Sequence, residues 1–302
     1  MGIINEGSFI ETVHMKGLQI SLIASGDGTE VIYHRLEPDA RWGLEPLEGG
    51  GETLEYLHML SGELLLKDSN GEKTLRPGDS FQRCPVTEHH IFQSIGQSEF
   101  LYVTSNPVFH YYSKVTNELR DLVISIEEKD GYTSDHCDRI TKMSMLMADA
   151  LDLNSRQILK LNLAAFLHDI GKVKVPVEIL QKPGKLTSDE WDLMKQHSTF
   201  GREILQETGL PSLIEAGEVV EQHHERFDGT GYPKGLKGDE IAIEAAIISV
   251  VDSFDAMTTD RVYQKGRSVL EAIDELIQNR GTMYNPEIVD TFIKIKEKLV
   301  KI

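Results

Sequence analysis

Cysteine is scarce in this chain. Cys84 and Cys137 are the only cysteines among 302 residues, too few for a disulfide framework or a thiolate zinc site. Free thiols suit a reducing compartment. Basic residues are also outnumbered: 31 Lys and Arg face 49 Asp and Glu, for a formal net charge of −18. Unspecific binding to nucleic acid or to an anionic membrane would have to overcome that repulsion, so neither is expected as a partner. No uninterrupted apolar run approaches the ~20 residues of a bilayer span. The opening stretch, MGIINEGSFIETVHMKG, lacks the basic-then-apolar pattern of a secretory signal. The expected location is the cytoplasm. The acidic balance also constrains chemistry, because a phosphate-bearing substrate would need local positive charge, which bound metal ions readily supply.

What is present is ordinary for a folded protein: 40% hydrophobic and 26% charged residues. The length suits one large or two ordinary domains. The hydrophobic period changes partway along. In EYLHMLSGELLLKDSNGEKTLRPGDSFQRCP, short apolar stretches are punctuated by Ser61-Gly62, Asn70-Gly71 and Pro77-Gly78, which predicts hairpins in a small barrel or sandwich. From about Tyr111 the period is helical, with Leu119, Leu122, Val123 and Ile126 on one face. Thr187 with Glu190, and Ser268 with Glu271, read as capping boxes; Asn285-Pro286 reads as a cap followed by proline at the first helical position. The expectation is an all-β domain over 1–110 and an all-α domain over 111–302, with the boundary in NPVFHYYSKV.

The helical half carries the chemistry. HHERFDGTGYP places His223 and His224 beside Glu225 and Asp228, just before a glycine-rich loop. Upstream, LNLAAFLHDIGK ends an apolar helix in His168-Asp169, with Gly171 expected as its stop. His197 lies in MKQHSTFGREIL, His136 in GYTSDHCDRI, and Asp252 and Asp255 stand three apart in AAIISVVDSFDAMTTDR. Each piece alone has an ordinary explanation as a cap, a surface charge or a satisfied core residue. Together they put histidines and acids at successive apolar-to-polar junctions. Imidazoles and carboxylates without thiolates suit Fe, Mn, Zn, Co or Ni rather than Ca or Mg. A carboxylate such as Asp169 can bridge two ions, as in two-metal phosphoester hydrolysis.

In order and spacing, His136, His168-Asp169 and Asp252 resemble the HD phosphohydrolase superfamily. The added His197, His223-His224 and Gly231-Tyr232-Pro233 look like its HD-GYP branch. That resemblance implies a bacterial phosphodiesterase hydrolysing cyclic di-GMP to pGpG or GMP at two divalent transition-metal ions, Fe or Mn foremost. It implies His136, His168, Asp169 and Asp252 for one metal and His197, His223 and His224 for the other, with Asp169 shared. It further implies that Lys172 steadies the phosphate or assists the leaving oxygen, that Asp255 accepts a proton or orients a ligand, and that Arg261 meets the second phosphate. The loop would dock GGDEF-domain proteins. Two positions depart from the pattern. Tyr132 stands where some relatives carry a glutamate for a third ion, so two metals are expected. Gln264 stands where a basic residue is common, with Lys265 one later. Another cyclic dinucleotide as substrate, or a metal-bound module acting by contact, are the alternatives.

The strand half resembles a cupin through LSGE, PGD and Pro85 to His90. Glu55 and His90 fall on two of that family's four metal-ligand positions, and Gly49 and Gly51 occupy the other two, so no metal is expected there. His58 should lie on the opposite face of its strand from Glu55. The domain is expected either to hold a small organic ligand or to serve as a scaffold for a homodimer.

These readings separate two substitutions. His168→Ala should strip metal and abolish turnover, whereas Gln264→Lys should leave metal content intact and tighten substrate binding. Elemental analysis and Michaelis kinetics on the two variants test this, and a Gln264→Lys protein that loses metal would contradict it.

Overall fold

The computed structural model describes residues 9–47, 51–69, 71–107, 109–130, 135–259 and 265–302. Asn70 and Gly49 lie outside the described residues. The chain divides into two compact units: residues up to Arg120 together with Asn154–Arg156, and Asp121–Leu153 together with Gln157–Ile302. Among the described residues no helix is long and apolar enough to cross a membrane.

The first unit contains β1 (Glu11–Met15), β2 (Leu18–Gly26), β3 (Thr29–Leu36), β4 (Arg41–Leu44) and β5 (Glu55–Ser61). These are followed by β6 (Leu64–Asp68), β7 (Gly71–Leu75), β8 (Ser80–Arg83), β9 (His90–Ser94) and β10 (Ser98–Thr104). One sheet runs β1-β2-β3-β10-β5-β8 and the other β4-β9-β6-β7. Strands β3 to β10 therefore interleave between two sheets in the 3-10-5-8 and 4-9-6-7 order of a double-sheet jelly roll, the architecture on which cupins are built. The turn glycines take their expected part. Gly62, Gly71 and Gly78 all have positive φ, and a Cβ on Gly62 would strike the backbone of Ser98. Leu57, Met59, Phe81 and Phe100 of the first sheet pack against Leu64, Leu66, Leu75 and Phe92 of the second, as strict alternation requires. Glu55 is buried and accepts hydrogen bonds from the Tyr102 hydroxyl and from Thr104 Oγ1. His58 instead meets Ser80 Oγ at 2.9 Å on the other face. The start of α1 (Phe109–Asp130) also belongs here: Phe109 packs with Val13, Leu22 and Ile32, and its amide donates to Glu30 Oε2 at 3.1 Å.

In the second unit, α2 (His136–Ala150), α3 (Ser155–Leu167), α4 (Val177–Leu180) and α5 (Ser188–Lys195) precede α6 (His197–Glu207) and α7 (Pro211–Gln222). Then come α8 (Ile243–Thr258), α9 (Val269–Gln278) and α10 (Pro286–Leu299). Both capping boxes are formed, Thr187 with Glu190 and Ser268 with Glu271. Asn285 caps α10, with Pro286 in its first turn. Helix α8 is the apolar centre. Ala245, Ile247, Ile248, Val250 and Val251 are buried, and this run carries Asp252 and Asp255 inward with it.

His34, on β3, is buried in the jelly-roll core, stacked on Phe100 at 4.7 Å and edged by Trp42 at 5.0 Å. Burial pushes its pKa from 6.5 down to about 3, against a smaller upward effect of a backbone hydrogen bond at Ile32. The folded protein thus refuses a proton that the unfolded chain takes up below pH 6.5. Stability is complete above that pH and declines as pH falls towards 3, by roughly 2 kcal/mol at pH 5. His34→Phe should remove this part of the acid sensitivity. Urea unfolding at pH 7 and pH 5, followed by Trp42 fluorescence in a Trp191→Phe background, measures it; an unchanged pH dependence would count against the assignment.

Candidate metal centre

Asp169 lies where three segments meet. Helix α3 ends at Leu167, and Asp169 leads into a 3-10 turn over Ile170–Lys174 that packs on the start of α6. Gly171 makes this approach possible. A Cβ there would collide with the carbonyl of His197 and the amide of Gly201. The role expected of Gly171 was to stop the helix. Instead it sits inside the turn without the left-handed φ of a helix-ending glycine, and its missing side chain lets His197 come up to Asp169.

Three imidazoles are oriented by carbonyls in the last turn of the helix that precedes each of them. His168 Nδ1 lies 2.9 Å from the Ala165 carbonyl, His197 Nδ1 2.7 Å from that of Met194, and His223 Nδ1 2.6 Å from that of Val220. A carbonyl can only accept, so each Nδ1 carries the hydrogen, and in the neutral ring each Nε2 presents a lone pair. Those lone pairs face one space. His197 Nε2 and His223 Nε2 are 3.5 Å apart, an unfavourable meeting of two acceptors. The two oxygens of Asp169 divide between the rings: Oδ2 is 3.4 Å from His168 Nε2 and Oδ1 is 3.5 Å from His197 Nε2.

His136 is held differently. Its Nδ1 is 2.8 Å from Asp255 Oδ2, and Asp255 is gripped from behind by Arg139, with Nε 2.5 Å from Oδ1 and Nη2 2.8 Å from Oδ2. That leaves His136 Nε2 towards Asp252 Oδ1 at 3.6 Å. Asp252 Oδ1 also lies 4.0 Å from His168 Nε2, and both Asp252 Oδ1 and His168 Nε2 are buried without a hydrogen bond. Ligand-capable atoms of His136, His168 and Asp169 form one close group, and those of His197, His223 and His224 another. Lys172 Nζ reaches Asp169 Oδ2 at 2.8 Å from within the turn.

The electrostatics follow from this geometry. Burial opposes charge on Asp169, yet Lys172, and then His168 and His197, hold its carboxyl well below the usual range. Burial likewise opposes protonation of His168, but Asp169 and then Asp252 outweigh it and push the ring up to about 9. Burial, reinforced by the neighbouring rings, keeps His223 and His224 far below the ordinary imidazole value, and His197 is lowered chiefly by burial. The neutral rings of His197, His223 and His224, a shared carboxylate and orphaned polar atoms fit a divalent cation, whose binding would displace the proton that Asp169 and Asp252 favour on His168.

The loop after α7 closes over this cluster. His223 is the C-cap of α7, and the His224 ring lies 3.9 Å from that of His223 and 5.0 Å from that of His197. Tyr232 covers His224 at 4.9 Å, and the half-exposed Trp191 stands 6.4 Å beyond it. Glu225 is buried and clasps the loop, accepting from the amides of Lys234 at 2.7 Å and Leu236 at 3.0 Å. A side chain on Gly231 would run into the backbone of Glu225 and Arg226. Asp228 accepts from Thr230 N at 3.0 Å, tightening the turn.

Of the residues expected from sequence, His136, His168, Asp169, Lys172, His197, His223, His224 and Asp252 thus gather in one place, with Asp255 directly behind His136. Lys265 is exposed on the surface. Arg261, Gln264 and Tyr132 lie outside the described residues. Sequence reasoning missed Arg139 and the clasp by Glu225. For Arg139 a signal existed, since it lies one turn after His136 in HCDR, on the same helical face.

Among known proteins, the chain is 37% identical over 200 residues to a cyclic di-GMP phosphodiesterase of Thermotoga maritima, covering 66% of this chain and 54% of the relative. It is 38% identical over 186 residues to the cyclic di-GMP phosphodiesterase response regulator RpfG of Xanthomonas campestris pv. campestris, covering 61% and 49%. The chain spans about half the length of these curated relatives. A crystal structure of a cyclic GMP-AMP-specific phosphodiesterase of Vibrio cholerae aligns with 62% of this chain and 50% of its own, at 17% identity and a TM-score of 0.49. An RmlC-like cupin of Shewanella frigidimarina aligns with 33% of this chain and 86% of its own, at 15% identity and a TM-score of 0.29. The family model described as HD domain matches residues 122–288, more than half of the sequence and the whole of the histidine–aspartate cluster, and the chain therefore belongs to the HD-domain family.

Proposed function

We propose that this chain is a metal-dependent phosphodiesterase that hydrolyses cyclic di-GMP, to pGpG or onward to GMP, in bacterial second-messenger signalling. One observation carries the reading: the buried imidazoles of His168, His197 and His223 are each tied through Nδ1–H to a helix-end carbonyl three residues back, and the Nε2 atoms of the first two meet different oxygens of the Asp169 carboxylate. The printed names of the relatives supply the substrate class.

His136, His168, Asp169 and Asp252 would hold one divalent transition-metal ion and His197, His223 and His224 a second, with Asp169 between them. Imidazoles and carboxylates without thiolates suit Fe, Mn, Zn, Co or Ni, and the resemblance to the HD-GYP branch puts Fe or Mn first. Such ions, when bound, supply Lewis acidity and an activated water for attack at phosphorus. The chain's own residues do the rest. Lys172, already paired to Asp169, presents an ammonium to a non-bridging phosphate oxygen or to the departing ribose oxygen, offsetting the protein's overall negative charge. Asp255 acts through His136, fixing the ring with Arg139 behind it, which favours the ligand-orienting one of its two expected roles. Tyr232 and the loop clasped by Glu225 shield His224 from bulk water. Hydrolysis breaks one P–O3′ bond, with water delivering hydroxyl to phosphorus and a proton to the leaving oxygen. Arg261 and Lys265 would meet the second phosphate, and GGDEF-domain proteins would dock on the loop.

Two measurements test this. The purified chain, loaded with Mn or Fe and incubated with cyclic di-GMP, should yield pGpG or GMP by chromatography. Cleavage of a different cyclic dinucleotide alone would reassign the substrate, and metal binding without cleavage would favour a contact module. Arg139→Ala should weaken metal binding about 10- to 100-fold through His136 and destabilise the fold by roughly 2 kcal/mol or more, because Asp255 loses its forked partner. Arg139→Lys should recover part of both, as read by metal titration and urea unfolding.

A further inference from the structure

The jelly roll has a polar end of its own. Asp68 closes β6, Arg83 closes β8, His90 opens β9, and Glu88 lies just before it. Leu66 and Phe92 point into the core, so Asp68 and His90, each two residues away along the same strand, share that inward face. His90 is fully buried, yet neither of its ring nitrogens makes a hydrogen bond. The Phe81 ring stands edge-on to it at 5.0 Å, and Asp68 Oδ2 lies 3.4 Å from its Nδ1. Asp68, Glu88 and His90 can each turn one ligand atom to within 4.8 Å of the others.

Leaving a buried imidazole unsatisfied costs about 1–3 kcal/mol, so some group should compensate it. Arg83 is the nearby cation, but its Nη2 is 3.8 Å from Asp68 Oδ2, and its guanidinium is occupied over the Phe81 ring at 4.5 Å and with the Gln82 carbonyl at 2.9 Å. Being a donor only, it offers nothing to a His90 donor. A cation at the centre of the three side chains would accept the imidazole lone pair and neutralise both carboxylates together.

We propose that Asp68, Glu88 and His90 form a divalent transition-metal site in the jelly roll, separate from the histidine cluster of the helical unit. The expectation of no metal here rested on Gly49 and Gly51 standing at two positions of the cupin pattern. Glu55, a third position of that pattern, is engaged by Tyr102 and Thr104. Two of the three ligands now named, Asp68 and Glu88, lie outside the pattern altogether. One imidazole and two carboxylates suit Mn, Fe, Co, Ni or Zn. Three protein ligands leave positions open for water or an oxygen-donor small molecule, which gives the domain a chemical basis for ligand sensing.

Metal counting on the full chain tests the proposal. Protein stripped with a chelator, reloaded with excess Mn²⁺ or Co²⁺ and desalted should hold one equivalent more than Asp68→Asn, Glu88→Gln or His90→Gln treated alike. Glu88 is half-exposed, so Glu88→Gln keeps the test decisive if His90→Gln fails to fold. His168→Ala, although it strips metal from the histidine cluster of the helical unit, should retain this equivalent, and His168→Ala combined with Glu88→Gln should lose it. The proposal falls if the three jelly-roll variants bind as much metal as the wild type, or if His168→Ala alone removes all of it. An equivalent that survives His168→Ala and disappears with Glu88→Gln upholds the jelly-roll site even where cyclic di-GMP is not cleaved, so the two readings fail independently.

Discussion

Everything in the helical unit is arranged around a carboxylate taken out of water. Asp169 is buried, and an unpaired ionised acid in that position would cost several kcal/mol. The chain meets this cost with short-range geometry. Lys172 comes round from the next turn, His168 from the preceding residue, and His197 from a helix whose approach depends on Gly171. Removing Asp169 would leave a buried ammonium and several converging rings with nothing to converge on. The packing of the 3-10 turn on α6 and the chemistry of the centre are thus one arrangement.

The surrounding parts divide between those that aim side chains and those that close the site. The i−3 carbonyl bonds of His168, His197 and His223 aim. Glu225, Gly231 and Asp228 close, by drawing the loop, with Tyr232, back over His224. The adjacent histidines, acids and glycines of HHERFDGTGYP therefore do separate jobs within a few residues. His223 and His224 face inward from a helix end, Glu225 anchors the returning backbone, and the glycine allows that backbone to pass against it.

Much of this was legible in the sequence because it is local. Caps, turn glycines, the change of hydrophobic period and the apolar runs leading into His168-Asp169 and Asp252 each depend on a few neighbouring residues. The gathering of the histidines is not local in this sense, and it was legible only through the resemblance of their order and spacing to the HD-GYP pattern. What escaped was tertiary. Gly171 looked like a helix stop because glycine after a helix usually is one, and only the position of α6 reveals that close approach decides it. The direction of Asp255 depends on Arg139 of a different helix. Asp68 and Glu88 were passed over because no spacing rule connects the end of one strand to the loop before another in a separate hairpin. The sheet order β9-β6 is what brings them together.

One asymmetry within the centre has a bearing on how it would come apart. Three of its rings are steered by carbonyls at the end of the helix just before them, so their aim survives as long as that helix keeps its last turn. His136 borrows its aim from α8, through Asp255, and any slippage of α2 along α8 would swing it away while the other rings held station. The centre is therefore built from a self-reliant half and a dependent half. Its loosening on warming or on distant strain should proceed stepwise, with the dependent half parting first and the other persisting as a folded remnant.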